Sequence, residues 1–268
     1  MEYGLCIWTF GDLTLDEKCR RAKEIGVDGV EVQGDLTTDP NEVKKTLEKY
    51  GLKALSVTPD NVDISSVDDK VRNAAVEYFI QLVDWSKKVG ADRFCLHGEV
   101  GVIALETSYE GHYHLLLDST KKIVKKAEEV GIPVVFEVLN RYENYIMRTS
   151  QECKRLVKDV GSEYLTILLD AYHMNIEESN PIEALEIAGK DLGVYHVADS
   201  NREGVGLGHT DFAGQFKKLK EIDYNGPIIM EMTAAGPNPF TPVKEGDYLA
   251  TLTNYYTDSL KKLKEVFN

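Results

Sequence analysis

Short apolar runs alternate with longer segments of helical period along the whole chain. The runs Tyr3–Trp8, Gly29–Gln33, Lys53–Val57, Arg93–His97, Pro133–Glu137, Leu165–Asp170, Gly193–His196 and Pro227–Glu231 have strand length, and polar or Gly/Pro turns bound them. PVVFE, LTILLD, GVYH and PIIME stay apolar at successive positions, the mark of strands buried on both faces, as in a parallel sheet covered by helices. Between the runs, Leu15–Ile25, Asn41–Tyr50, Val67–Val89, Tyr113–Val130, Ser150–Val160, Ile182–Gly189, Phe212–Ile222 and Tyr248–Phe267 predict helices. Pro181 suits a first turn, and Gly26, Gly51, Gly90, Gly131 and Gly161 stand where helices stop. The phrase "helix, Gly, apolar strand" recurs in EIGVDGVEV, KYGLKALSV, KVGADRFCL and EVGIPVVFE. Eight strand-like runs alternating with helical segments predict an α/β fold of the (β/α)8 TIM-barrel type, a size match for 268 residues. No linker or composition shift divides the chain, so one domain is expected over residues 1–268.

Composition narrows the partners. With 43% hydrophobic and 28% charged residues, the chain can bury a sizeable core. A net charge of −14 argues against nucleic acid and anionic membrane surfaces, whose binding depends on clustered Lys and Arg. No apolar stretch approaches the roughly 18 residues of a membrane span, and MEYGLCIWTFGD has no basic region before its apolar run, so a cytoplasmic protein is expected. Cys6, Cys19, Cys95 and Cys153 are scattered, which predicts reduced core thiols and no disulfide framework.

The candidate chemistry lies in the second half. Glu137, Asp170, His196 and Glu231 each close one of four consecutive predicted strands, at the carboxyl edge where barrels of this type place their sites. Singly, each has an ordinary explanation: Asp170 as an N-cap, His196 as a hydrogen-bonded core histidine. Together they form three carboxylates and an imidazole, a set that repels itself unless a cation holds it. Such ligands favour a fairly hard divalent ion, Mn²⁺, Mg²⁺ or Co²⁺, over a thiolate-seeking one. Glu143, His173 and Arg202 follow closely in NRYEN, DAYHMN and HVADSNR, as candidates for binding a polyol and stabilising negative charge.

The strings FEVLNRYEN, LLDAYHMNIEE, YHVADSNR with GLGHTDF, and IIMEM resemble the ketose 3-epimerase branch of the xylose-isomerase-like barrel superfamily. The resemblance runs through the whole barrel and is most specific from Val134 to Glu231. It implies Glu137, Asp170, His196 and Glu231 as ligands of one divalent ion, Mn²⁺ first, with Co²⁺ or Mg²⁺ as alternatives. Glu137 and Glu231 double as the acid/base pair that moves the C3 proton of a ketose through a cis-enediolate. Glu143, His173 and Arg202 hold the O1–C3 end of the sugar. Trp8, Glu31, Ser56, His97 and Glu99 stand near strand ends where pocket walls are expected, with Trp8 and His97 carried forward as substrate contacts. A small-molecule sugar is the implied partner, and a homodimer or homotetramer the implied assembly. Thr233 departs from the pattern, standing where several relatives carry a bulky apolar side chain.

Rival readings share the barrel. An aldose–ketose isomerase of the hydroxypyruvate- or rhamnose-isomerase type, or a keto-inositol dehydratase, would use the same ligands. The apurinic endonuclease of this barrel needs further histidines, yet the third strand ends in Ser56, Val57 and Thr58, and the later motif runs His209, Thr210, Asp211. A sugar-binding barrel without turnover would show a missing ligand or acid/base residue, and none is missing.

Overall fold

Strands β1 (Tyr3–Cys6), β2 (Gly29–Gln33), β3 (Lys53–Thr58), β4 (Phe94–Leu96), β5 (Val134–Val138), β6 (Leu165–Asp170), β7 (Leu192–Val197) and β8 (Ile228–Met230) form one sheet. This computed structural model describes every residue except Glu99, Val102, Leu105, Pro239, Phe240 and Asn268. Neighbours pair in parallel in the order β3-β2-β1-β8-β7-β6-β5-β4. At the seam between β3 and β4, Asp92 N–H donates to the Ala54 carbonyl and Arg93 Nη1 to the Leu55 carbonyl, each at 3.0 Å. The result is the nearly closed barrel that the eight apolar runs predict.

Helices α1 (Leu15–Ile25), α2 (Pro40–Tyr50), α3 (Asp69–Val89), α4 (Tyr109–Val130), α5 (Ser150–Val160), α6 (Ala171–Glu177), α7 (Pro181–Ala188), α8 (Phe212–Glu221) and α9 (Tyr248–Phe267) lie between or after the strands. The five predicted stop glycines all adopt left-handed φ angles, between 65° and 92°. Several boundaries differ from the pattern by a residue or more, and one helix is additional. The first apolar run leaves the sheet at Cys6, and Ile7–Phe10 winds into a 3₁₀ turn. Helix α4 starts four residues before the predicted Tyr113, because Ser108 accepts from Gly111 N–H as its N-cap. Helix α6 was not anticipated; it follows β6 directly, capped by Asp170. Among the described residues no helix is long and apolar enough to cross a membrane. All four cysteines are free and buried, as expected.

The barrel interior is a cluster of its own, built from Cys6, Leu55, Cys95, Val135, Leu168, Val194 and Ile229. Each large apolar side chain buried there contributes about 2 kcal/mol. Room for Leu55 comes from Gly29, where an added Cβ would stand 2.7 Å from Leu55 Cγ and 2.5 Å from the Lys53 carbonyl oxygen. Strand side chains alternate, so the residues two beyond Val135, Leu168, Val194 and Ile229 face the same axis one layer higher. Those residues are Glu137, Asp170, His196 and Glu231.

Candidate active site

The four predicted ligands converge. One ligand atom from each of Glu137, Asp170, His196 and Glu231 lies within 4.8 Å of all the others, and all four residues are buried. Their placement on the strands is less uniform than the pattern suggests. Asp170 does end β6, but Glu137 and His196 are the penultimate residues of β5 and β7, and Glu231 lies just beyond β8. What they share is direction toward the barrel axis.

Asp170 serves both roles that its position allows. One carboxylate oxygen, Oδ1, accepts from Tyr172 N–H at 2.8 Å and caps α6, while Oδ2 takes Arg202 Nη1. His196 stands between carboxylates: Nδ1 is 3.2 Å from Glu231 Oε2 and 3.8 Å from Glu137 Oε1, and Nε2 is 3.3 Å from Glu31 Oε2. Glu231 receives Trp8 Nε1 on Oε1 at 3.1 Å and Arg202 Nη2 on Oε2 at 3.1 Å. Glu137 accepts from the Cys95 thiol at 3.6 Å.

Electrostatics separate the two glutamates. Burial, reinforced by Glu231, Glu31 and Asp170, pushes the Glu137 carboxyl well above the usual range despite His196. Burial would raise Glu231 as well, but Arg202 and His196 outweigh it and hold that carboxyl well below. Burial alone would depress His196; Glu31 and Glu231 reverse the sign and hold it well above an ordinary histidine. The site thus calls for positive charge. Three carboxylates and an imidazole fit one hard or borderline divalent ion, which would supply the charge that Glu137 otherwise draws from a proton. Cys6 Sγ also approaches His196 and Glu231, but burial pushes its thiol well up, and the protonated sulfur donates to Glu31 Oε1 at 3.5 Å.

Above this floor opens a pocket of about 800 Å³. Its wall includes Trp8, His97, Glu143, His173 and Arg202, so all five candidate substrate contacts reach it. His173 is oriented by Asn140, whose Nδ2 donates both to His173 Nδ1 at 2.7 Å and to Glu143 Oε1 at 2.9 Å. With Nδ1 accepting, the ring proton sits on Nε2, which lies 3.8 Å from Asp170 Oδ2. Arg202 stacks 4.5 Å from the Tyr172 ring centroid and holds a left-handed backbone at φ 66°. Burial holds the His97 imidazole down at about 4, so it is neutral around pH 7. Thr233, Ala234, Ala235 and Gly236, all small, line the wall after Glu231.

Sequence reasoning misplaced some residues and overlooked others. Glu31 is buried behind His196 and Ser56 is buried in β3, and neither forms pocket wall; Glu99 lies outside the described residues. Asn140 and Asp199 were overlooked. Asp199 is fully buried, and its carboxylate accepts from the N–H groups of Ser200, Gly206 and Thr210 at 2.7, 2.7 and 3.1 Å, folding the loop that carries Arg202. Its signal was available in the string HVADSNREGVGLGHT, where an Asp closing the apolar pair Val197–Ala198 precedes a glycine-rich loop.

Comparison with known proteins gives the family. The family model for the xylose isomerase-like TIM barrel matches residues 19–253. A ketose 3-epimerase of Arthrobacter globiformis is 32% identical over 241 residues, covering 85% of this chain and 81% of that protein. An L-ribulose 3-epimerase of a Methylomonas species is 31% identical, covering 78% and 75%. Among solved structures, a D-allulose 3-epimerase from Methylomonas, determined in complex with D-allulose, superposes with a TM-score of 0.87 at 27% identity, covering 100% of this chain and 97% of that one. The chain belongs to the xylose isomerase-like TIM-barrel family, in its ketose 3-epimerase branch, and is a sugar epimerase.

Proposed function

We propose that the protein epimerises a free ketose at C3, with one divalent ion held by Glu137, Asp170, His196 and Glu231. The observation that carries this reading is the convergence of those four side chains at the floor of a sugar-sized pocket, with two glutamates arriving from different walls. Mn²⁺ is the first choice of ion, with Co²⁺ or Mg²⁺ as substitutes. A divalent ion held by these four side chains would supply Lewis acidity to the bound ketose and so make its C3 hydrogen easier to remove.

Glu137 and Glu231 are the proton carriers. Strands β5 and β8 are separated by β6 and β7 in the sheet, so the two carboxylates reach the substrate from different sides. One removes the C3 proton and leaves a cis-enediolate; the other delivers a proton to the opposite face. A single base returning its own proton would regenerate the substrate. Which glutamate acts first depends on the configuration at C3.

Arg202 and the Nε2–H of His173 stabilise the oxyanion that develops at the O2–O3 edge. Glu143, tied to His173 through Asn140, accepts from the O1 hydroxyl, and Trp8 and His97 complete the wall. The whole of residues 1–268 acts as one domain, assembled as a homodimer or homotetramer. Four buried, unpaired thiols suit a reducing compartment such as the cytoplasm.

The test is to strip the protein of metal, reload it with Mn²⁺, Co²⁺ or Mg²⁺ in D₂O, and supply a panel of ketopentoses and ketohexoses. Metal-dependent deuterium at C3 of a ketose product is the expected result. An aldose product would assign isomerisation between C1 and C2, and loss of water would assign a dehydratase.

A further inference from the structure

Glu31 is a fifth acidic residue that the proposed mechanism leaves without a role. It sits on β2 at 2% exposure, beside a register shift between Val30 and Glu31 in the pairing with β3. Among the described residues it belongs to neither group of side chains whose ligand atoms all lie within 4.8 Å of one another. It is therefore placed behind the candidate metal centre. A buried carboxylate without a partner is strongly unfavourable, and the partner here is specific. Glu31 Oε2 faces His196 Nε2 at 3.3 Å, while Cys6 Sγ donates to Oε1 at 3.5 Å and fixes the carboxylate's rotation.

The two imidazole nitrogens of His196 thus meet different surroundings. Nε2 faces Glu31, and Nδ1 faces Glu137 and Glu231. A neutral imidazole has one N–H and one lone pair, and an ionised carboxylate only accepts. Both nitrogens face carboxylates, at 3.3 and 3.2 Å, so it is a cation among Glu137, Asp170 and Glu231 that would decide between them: Nδ1 would present its lone pair to the ion, and the one remaining ring proton would stay on Nε2, facing Glu31. The other tautomer would set a lone pair against Glu31 and aim an N–H at the place where a cation must sit.

Resting on the metal-dependent reading above, we propose that Glu31 is a positioning residue that fixes His196 as the Nε2–H tautomer and makes Nδ1 the donor atom for the ion. Carboxylate–histidine–metal arrangements of this kind typically change metal affinity by about 10- to 100-fold. Glu31 acts on the site through His196 and touches no substrate.

The test uses Glu31→Gln, whose amide can present its NH₂ to Nε2 and release the tautomer. Mn²⁺ binding to metal-free protein, measured by calorimetry, is expected to weaken about 10- to 100-fold with the thermal transition retained. Independently of any variant, ¹⁵N-histidine spectra of the Zn²⁺-loaded wild type should show His196 protonated at Nε2 and metal-bound at Nδ1. Affinity within twofold of wild type in the variant, or a proton on Nδ1 in the wild type, would overturn the assignment. Asp170→Asn is the control: if it binds Mn²⁺ as tightly as wild type, the metal-centre reading fails and takes this inference with it. If Asp170→Asn loses Mn²⁺ while Glu31→Gln keeps it, only the role of Glu31 falls.

Discussion

Trp8 Nε1 donates to Glu231 Oε1 at 3.1 Å, joining the turn after the first strand to the residue just beyond the last. Glu231 has left the sheet's regular geometry, although its N–H still donates to the Val197 carbonyl at 3.1 Å. Its carboxylate is aimed by donors instead, Trp8 on one oxygen and Arg202 on the other, with His196 Nδ1 lying 3.2 Å from that second oxygen. Trp8→Phe keeps an aromatic wall and removes one donor to a charged acceptor, a loss of about 1.5–3 kcal/mol. The expected outcome is a fall in kcat of roughly 10- to 100-fold at unchanged metal stoichiometry. Steady-state kinetics with metal analysis checks it, and an unchanged kcat would show that Trp8 is wall alone.

The two proton carriers can be tested without disturbing the charge of the rest of the site. Glu137→Gln and Glu231→Gln each retain an oxygen that can face a cation while losing the ability to take up a proton. Each is expected to abolish C3 epimerisation, a loss of at least about 10²–10⁴-fold. Normal turnover by either variant, with metal still bound, would sink the paired-carboxylate mechanism. Deuterium exchange at C3 adds a finer readout: a variant that keeps one working base can wash label into the starting ketose while forming no epimer.

How much of this was legible beforehand follows from what kind of order each feature needs. Glu137, Asp170, His196 and Glu231 could be found because period-two alternation and apolar runs are local signals, and a charge closing such a run stands out. The eight strands and the five stop glycines were legible for the same reason. Glu31 was only partly so: its strand was visible, but the register shift that turns it behind His196 depends on pairing with β3. Asn140 matters through its hydrogen bond to His173, a partner 33 residues away that no spacing rule encodes, whereas the partners of Asp199 lie within 11 residues of it and left a local trace in the sequence. Helix α6 is seven residues long, too short to display a helical period.

Asp199 is expected to govern Arg202 from outside the pocket. Burial would raise its carboxyl, but the N–H groups of Gly208, Thr210, Ser200 and Gly206 outweigh that and hold it below the usual range. Arg202 depends on this frame, since its own N–H donates to the Asp199 carbonyl at 2.8 Å and its carbonyl accepts from Thr233 N–H at 2.8 Å. Asp199→Ala leaves buried N–H groups without an acceptor, and the expected cost is about 3 kcal/mol of stability. Activity should fall further than stability explains, because Arg202 loses its strained but fixed geometry. Urea denaturation together with kinetics at a temperature where the variant remains folded separates the two effects.

His97 gives the acid limb of the stability curve a traceable origin. Burial lowers its pKa from 6.5 to about 4, so between those values the unfolded chain takes up a proton at this residue and the folded chain does not. The sign follows: stability from this residue is complete above pH 6.5 and is lost as pH falls toward 4. The full difference corresponds to about 3 kcal/mol at 1.36 kcal/mol per unit. His97→Asn removes the titration and keeps a polar side chain in the wall. The variant should therefore lose less stability than wild type between pH 7 and pH 4.5, with the gap between the two proteins narrowing or reversing in acid. Chemical denaturation at both pH values measures it directly, and parallel curves for the two proteins would show that the histidine is not held neutral by its surroundings.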